Sequence, residues 1–177
     1  MLRKLFGIAF VGLLSALFLV PSASAFPVPV GHSIKNLRTG MCANLVAPAT
    51  LDGPAGQVPC VASNQPGFFQ QRWKFESGGG STYLIRNMSD GLCLDLPFYG
   101  SVEPGTKVTG YTCQSTNDNQ AFFMAKRANG YWIQHAITGL CLDVDGFGTG
   151  GEGAALTLWP CVDDDDHNWE FTPERTF

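Results

Sequence analysis

The sequence predicts an all-β chain, built of three repeats with pseudo-threefold symmetry and closed into a barrel. Three observations carry this reading. The stretch Gly91-Leu92-Cys93-Leu94-Asp95 recurs at positions 139–143, and the two copies align without a gap for about thirty residues. A worn earlier copy is marked by Ile34, by Gly40-Met41-Cys42-Ala43-Asn44 and by Cys60. Each copy ends on aromatics: Trp73 with Phe75, Phe122 with Phe123, and Trp169 with Phe171.

The chain opens on a segment that reads as a signal peptide. Arg3 and Lys4 precede an apolar run from Leu5 to Val20, and Ala23-Ser24-Ala25 offers small residues for cleavage after Ala25. A membrane anchor needs roughly twenty uninterrupted apolar residues, and Pro21 ends this run early. The expected products are a leader, 1–25, and a secreted, extracellular domain, 26–177. The leader takes two of the eleven basic residues with it, leaving nine against fifteen acidic ones. Nucleic acid is therefore excluded as a partner, because phosphates seek basic grooves. The remaining 152 residues suit one core.

The repeats span approximately 31–76, 82–125 and 130–172. Within them apolar residues alternate over short runs, as at Leu92, Leu94 and Leu96 or at Leu156 and Leu158. Pro104-Gly105, Asp145-Gly146 and Gly78-Gly79-Gly80 supply turns between these strands. Four short strands per repeat, taken three times, close on themselves because closure removes exposed sheet edges.

Six cysteines, two per repeat, lie in an exported chain, so disulfides are expected. Repeat symmetry leaves two schemes, pairing within each repeat or between successive ones. The expected scheme is the first: Cys42 with Cys60, Cys93 with Cys113 and Cys141 with Cys161. No C-x-x-C spacing points to zinc.

Strand residues alternate faces. If Leu94 and Leu96 face the core, Cys93 and Asp95 point away from it together, as do Thr109, Tyr111 and Cys113. A Cys93–Cys113 bridge would then bring Asp95 and Tyr111 together, because bridged Cα atoms usually lie 4.4–6.8 Å apart. The third repeat repeats this with Asp143, Thr157 and Trp159. A carboxylate beside an aromatic in a shallow notch suits a sugar. The pyranose C–H face stacks on the ring, and an ionised Asp accepts from neighbouring hydroxyls.

At these residues the chain resembles the ricin B-chain type lectins and the family 13 carbohydrate-binding modules, which are β-trefoils. The resemblance rests on G-x-C-L-D, on the aromatic two residues before the second cysteine, and on a closing Q-x-W element. That element is Gln71-Arg72-Trp73 here and, altered, Asn119-Gln120-Ala121-Phe122 and Asp166-His167-Asn168-Trp169. It implies a lectin without catalytic activity or cofactor. It also implies sugar contacts from Asp95, Thr109, Tyr111, Asn119 and Gln120 in the second repeat, and from Asp143, Thr157, Trp159 and Asp166 in the third. There Asp166 replaces Asn and His167 replaces Gln. The first repeat carries Asn44 for the Asp and Val58 for the aromatic, so it is expected to bind nothing. The partner implied is a glycan, with galactose- and xylose-type sugars as candidates.

Other features read more plainly. The run Asp163 to Asp166 is expected to be a solvated loop rather than a calcium site, since four adjacent carboxylates cannot all face one point. No metal site is expected. His32, His135 and His167 lack any paired ligand spacing. Asn87-Met88-Ser89 is a glycosylation sequon. No nucleophile with a base is evident, and Asp95 and Asp143 occupy equivalent places in different repeats rather than one cleft, so nothing argues for catalysis. The alternative to a lectin is an interaction protein of trefoil shape, either a protease inhibitor or the receptor-binding subunit of a multi-chain toxin.

Overall fold

The computed structural model describes residues 31–46, 49–114 and 119–173. The signal-peptide segment lies outside them. Twelve strands fall four to a repeat: β1 (Ser33–Asn36), β2 (Cys42–Leu45), β3 (Gly53–Val58) and β4 (Trp73–Gly79); β5 (Thr82–Asn87), β6 (Cys93–Asp95), β7 (Thr109–Tyr111) and β8 (Phe122–Lys126); β9 (Tyr131–His135), β10 (Cys141–Val144), β11 (Leu156–Trp159) and β12 (Trp169–Thr172).

Every strand pairing among the described residues is antiparallel, and within each repeat the first strand pairs with the second and the second with the third. The last strand of one repeat pairs with the first of the next, as β4 with β5, β8 with β9, and β12 back with β1. That last pairing closes the sheet. The second and third strands of each repeat form hairpins. Third strands also meet across repeats: Gly53 opposes Gly110, Gly56 bridges Ala155, and Lys107 bridges Thr157. The chain is an all-β β-trefoil.

The core repeats three times, as the alternation requires. Ile34, Ile85 and Ile133 come from the first strands, and Ala43, Leu94 and Leu142 from the second; all are fully buried. Trp73, Phe122 and Trp169 close each copy from within. Each indole needs an acceptor when buried, and Trp73 Nε1 donates to Ala43 O at 3.1 Å while Trp169 Nε1 donates to Leu142 O at 3.0 Å. Phe122 fills the same place without a polar atom.

The three disulfides run within repeats, Cys42–Cys60, Cys93–Cys113 and Cys141–Cys161, each with Cα atoms 5.0 Å apart. The sequon is buried at its acceptor. Asn87 Nδ2 donates to Gln70 O at 2.8 Å and Oδ1 accepts from Ser89 N. Asn36 plays the same part in the first repeat, donating to Asp166 O and accepting from Arg38 N and Thr39 N. No helix among the described residues is long and apolar enough to cross a membrane.

Candidate functional site

In the second repeat, the pairing of β6 with β7 sets Asp95 opposite Thr109 and Cys93 opposite Tyr111. Asp95 and Tyr111 are thus diagonal neighbours on one face, within reach of a shared ligand. They line a cavity of about 530 Å³ with Thr109, and its rim adds Pro97, Phe98 and Tyr99 from the following loop and Asp52 from the first repeat. Asp95 is 4% exposed at the base.

Asn119 and Gln120 do not line this cavity; both are buried beneath it. Asn119 Oδ1 accepts from Gly100 N at 3.0 Å and Nδ2 donates to Phe98 O at 2.9 Å. It ties down the loop that presents Phe98, a residue 86% exposed with φ of 70°. Gln120 Oε1 accepts from Gln114 N and Nε2 donates to Thr112 O, bracketing Cys113. Gln71 does the same around Cys60.

The third repeat reproduces the arrangement. Asp143 stands opposite Thr157, and Cys141 opposite Trp159. Thr157 Oγ1 donates to Asp143 Oδ2 at 2.6 Å. The cavity, about 430 Å³, is lined by Asp143, Trp159, Asp145, Phe147, Asp165 and His167. Trp159 is 45% exposed and Phe147 75%. The first-repeat hollow has Asn44 and Val58 in the matching places, and Asn44 Nδ2 donates to Leu45 O. No carboxylate faces an aromatic there among the described lining residues.

Sequence reasoning missed the loop aromatics and the residues that neighbouring repeats lend. The signal for the first was present, since Tyr99 precedes Gly100 as Phe147 precedes Gly148. The second had none. Trp159 lies over Gly105 of the second repeat, where an added Cβ would touch the ring at 3.4 Å and φ is +84°. The first repeat also shapes the third-repeat loop. Gln57 Nε2 donates to Gly150 O and Gly151 O, Gln57 Oε1 accepts from Thr39 Oγ1, and the Arg38 side chain packs where a Cβ on Gly148 would stand.

The acidic run divides. Asp163 is exposed and pairs with Arg127, and Asp164 is also exposed. Asp165 and Asp166 are buried, which corrects the expectation of a solvated loop for that half. The cause is positional: Asp166 occupies the place of Asn119, and its carboxylate accepts from Val144 N at 3.1 Å and Gly148 N at 2.7 Å. Burial, then the neighbouring Asp143, pushes the Asp166 carboxyl up to about 7. Burial alone would raise Asp143 too, but His167, Asp166 and Thr157 outweigh it and hold that group below the usual carboxylate range. His167 is buried, which disfavours its charge, yet the proximity of Asp143 leaves it raised. Its Nε2 lies 3.1 Å from Asp143 Oδ1, an electrostatic contact rather than an aligned hydrogen bond.

The chain matches the ricin-type β-trefoil lectin domain over residues 31–171. No curated protein sequence matches it. Among solved structures it is similar to the Rhizoctonia solani agglutinin, with TM-score 0.67, 16% identity, and 84% of this chain and 98% of the other covered. It is likewise similar to the Macrolepiota procera ricin B-like lectin in complex with lactose, with TM-score 0.65, 18% identity and coverage of 86% and 100%. A designed threefold-symmetric protein, ThreeFoil, aligns with TM-score 0.69, 19% identity and coverage of 79% and 96%. A family match across most of the chain, on a threefold fold with two equivalent Asp-and-aromatic cavities, places this protein in the ricin-type β-trefoil lectin family.

Proposed function

We propose that this is an exported, non-catalytic lectin that binds glycan residues in the second and third repeats. One observation carries the reading: two cavities at equivalent places each set a buried carboxylate, Asp95 or Asp143, beside an outward aromatic, Tyr111 or Trp159. The carboxylate accepts from adjacent hydroxyls, and the ring covers the apolar C–H face. Tyr99 and Phe147 extend the apolar wall on the loop side of each cavity. The rigid rings lose little entropy on binding. Water competes for each hydroxyl, so single-site affinity is weak, and a polyvalent glycan gains by avidity, by about 10²–10⁴.

The lactose complex of the M. procera neighbour makes a β-galactoside the first ligand to try. A xylan is the second. Export rests on the leader and on three disulfides, which persist in oxidising compartments.

The test is retention of the mature chain on galactose and xylan resins with elution by free sugar, followed by a glycan array. Specific elution supports the lectin. Inhibition of a protease panel with no retention on any glycan would favour an inhibitor instead.

A further inference from the structure

At the base of the third-repeat cavity, Asp143, Asp165, Asp166 and His167 each present one donor atom, and the four atoms lie within 4.8 Å of one another. All four side chains are buried. Buried carboxylates grouped this closely are costly unless they are paired or coordinate a metal. The equivalent residues of the second repeat, Asn119 and Gln120, are neutral amides engaged with backbone groups, so this cluster belongs to the third repeat.

The histidine supplies an independent sign. Gln71 and Gln120 each use both amide atoms to bracket a cysteine, one accepting from the residue after it and one donating to the residue before it. His167 meets the same segment with Nδ1 alone, 3.0 Å from Val162 N and 3.1 Å from Val162 O. The exchange leaves Nε2 surplus. That atom makes no hydrogen bond, its side chain is 1% exposed, and it is aimed into the cluster toward Asp143.

We propose that Asp143, Asp165, Asp166 and His167 form a divalent-cation site, with zinc the preferred ion. One imidazole nitrogen and three carboxylate oxygens make a four-donor set suited to zinc, whereas calcium seeks six to eight oxygens. Donors in a tetrahedral zinc shell stand roughly 3.4 Å apart. His167 Nε2 and Asp143 Oδ1 are already near that separation, and rotation of the carboxylates closes the rest. Each donor has an outer partner that orients it, a common feature of metal sites. Val162 N donates to Nδ1 and Val162 O lies 3.1 Å from it, and these contacts orient the ring with Nε2 toward the cluster. Thr157 holds Asp143, Val144 N and Gly148 N hold Asp166, and Asp165 Oδ1 accepts from Asp166 N.

The inference does not require that the cavity take a sugar, and its test uses none. The metal-free mature protein is titrated with zinc chloride and, separately, with calcium chloride, while the melting temperature is followed. Zinc at a hundredfold excess over its Kd is expected to raise Tm by roughly 5 °C, reversibly with EDTA, and calcium to leave it unmoved. His167→Gln installs the residue that the other repeats carry at this place, so it preserves the fold and is expected to abolish the zinc shift. Asp95→Asn, in the second repeat, retains it. No shift in the parent protein at millimolar zinc overturns the site, as does an undiminished shift in His167→Gln, which would assign the ion to the surface. A shift with calcium alone overturns the choice of ion.

Discussion

Gln57 Nε2 donates to Gly150 O at 2.7 Å, joining the first repeat to the loop that walls the third-repeat cavity. Gln57 is fully buried, and its Oε1 is taken by Thr39 Oγ1 at 2.6 Å. The repeat that lacks its own Asp and aromatic therefore contributes to the shape of another repeat's cavity. Gln57→Leu leaves the Gly150 and Gly151 carbonyls and the Thr39 hydroxyl without this partner, at a cost of about 1–3 kcal/mol. Third-repeat glycan affinity, measured by calorimetry on a Tyr111→Ala background, is expected to fall about tenfold, the equivalent of 1.4 kcal/mol. Second-repeat affinity on a Trp159→Ala background is expected to stay unchanged. Equal losses at both would deny the specific buttress.

Tyr111→Ala with Trp159→Ala is expected to abolish glycan-array binding while lowering Tm by only a few degrees. The Trp159 ring is 45% exposed and Tyr111 half-buried, so neither anchors the core. Val58→Ala is expected to leave binding as it was. Undiminished binding by the double variant would remove both aromatic rings from the site.

The closing aromatics differ in what they ask of the fold. Trp73→Phe keeps most of the volume and gives up only the bond to Ala43 O, and Phe122 shows that the place accommodates a phenyl ring. A cost of about 1 kcal/mol is expected. Trp169→Ala opens a cavity in the core and is expected to cost about 3–5 kcal/mol by urea unfolding.

His135 is fully buried against the Phe122 ring, where Asn36 and Asn87 stand in the other repeats. Burial pushes its imidazole down to about 4. The folded state therefore resists a proton that the unfolded chain takes up below about pH 6.5. The sign follows: the unfolded state binds more protons between pH 4 and 6.5, so stability is full above 6.5 and declines as pH falls towards 4. His135→Asn is expected to flatten the Tm profile in that window relative to the parent. Parallel profiles for the two proteins would refute this assignment.

Much of the fold was legible in the sequence because each repeat states it again. The G-L-C-L-D copies fixed the parity of β6 and β10, and the short alternation of Leu92, Leu94 and Leu96 reported the strand, though β6 is buried on both faces. The cysteine pairs, two per repeat, pointed to the bridges found. The acidic run was misread in part because sequence adjacency conceals that Asp166 stands where Asn119 stands. Its backbone donors, Val144 N at the end of β10 and Gly148 N in the loop after it, lie about twenty residues earlier. The buried state of Asn87 was equally hidden, since a sequon carries no mark of the Gln70 carbonyl that holds it.

The sequence by itself determined the threefold plan, the strand faces, and the grouping of Asp95 with Tyr111 and of Asp143 with Trp159. These are local facts, fixed by a side-chain period of two and by an intervening bridge. Only the tertiary structure decided which residues the repeats lend to one another. Asp52 reaches the second-repeat cavity, Gly105 underlies Trp159, and Gln57 grips Gly150 because β3, β7 and β11 meet across the repeats. Closing a barrel brings together segments that no periodicity within the chain relates.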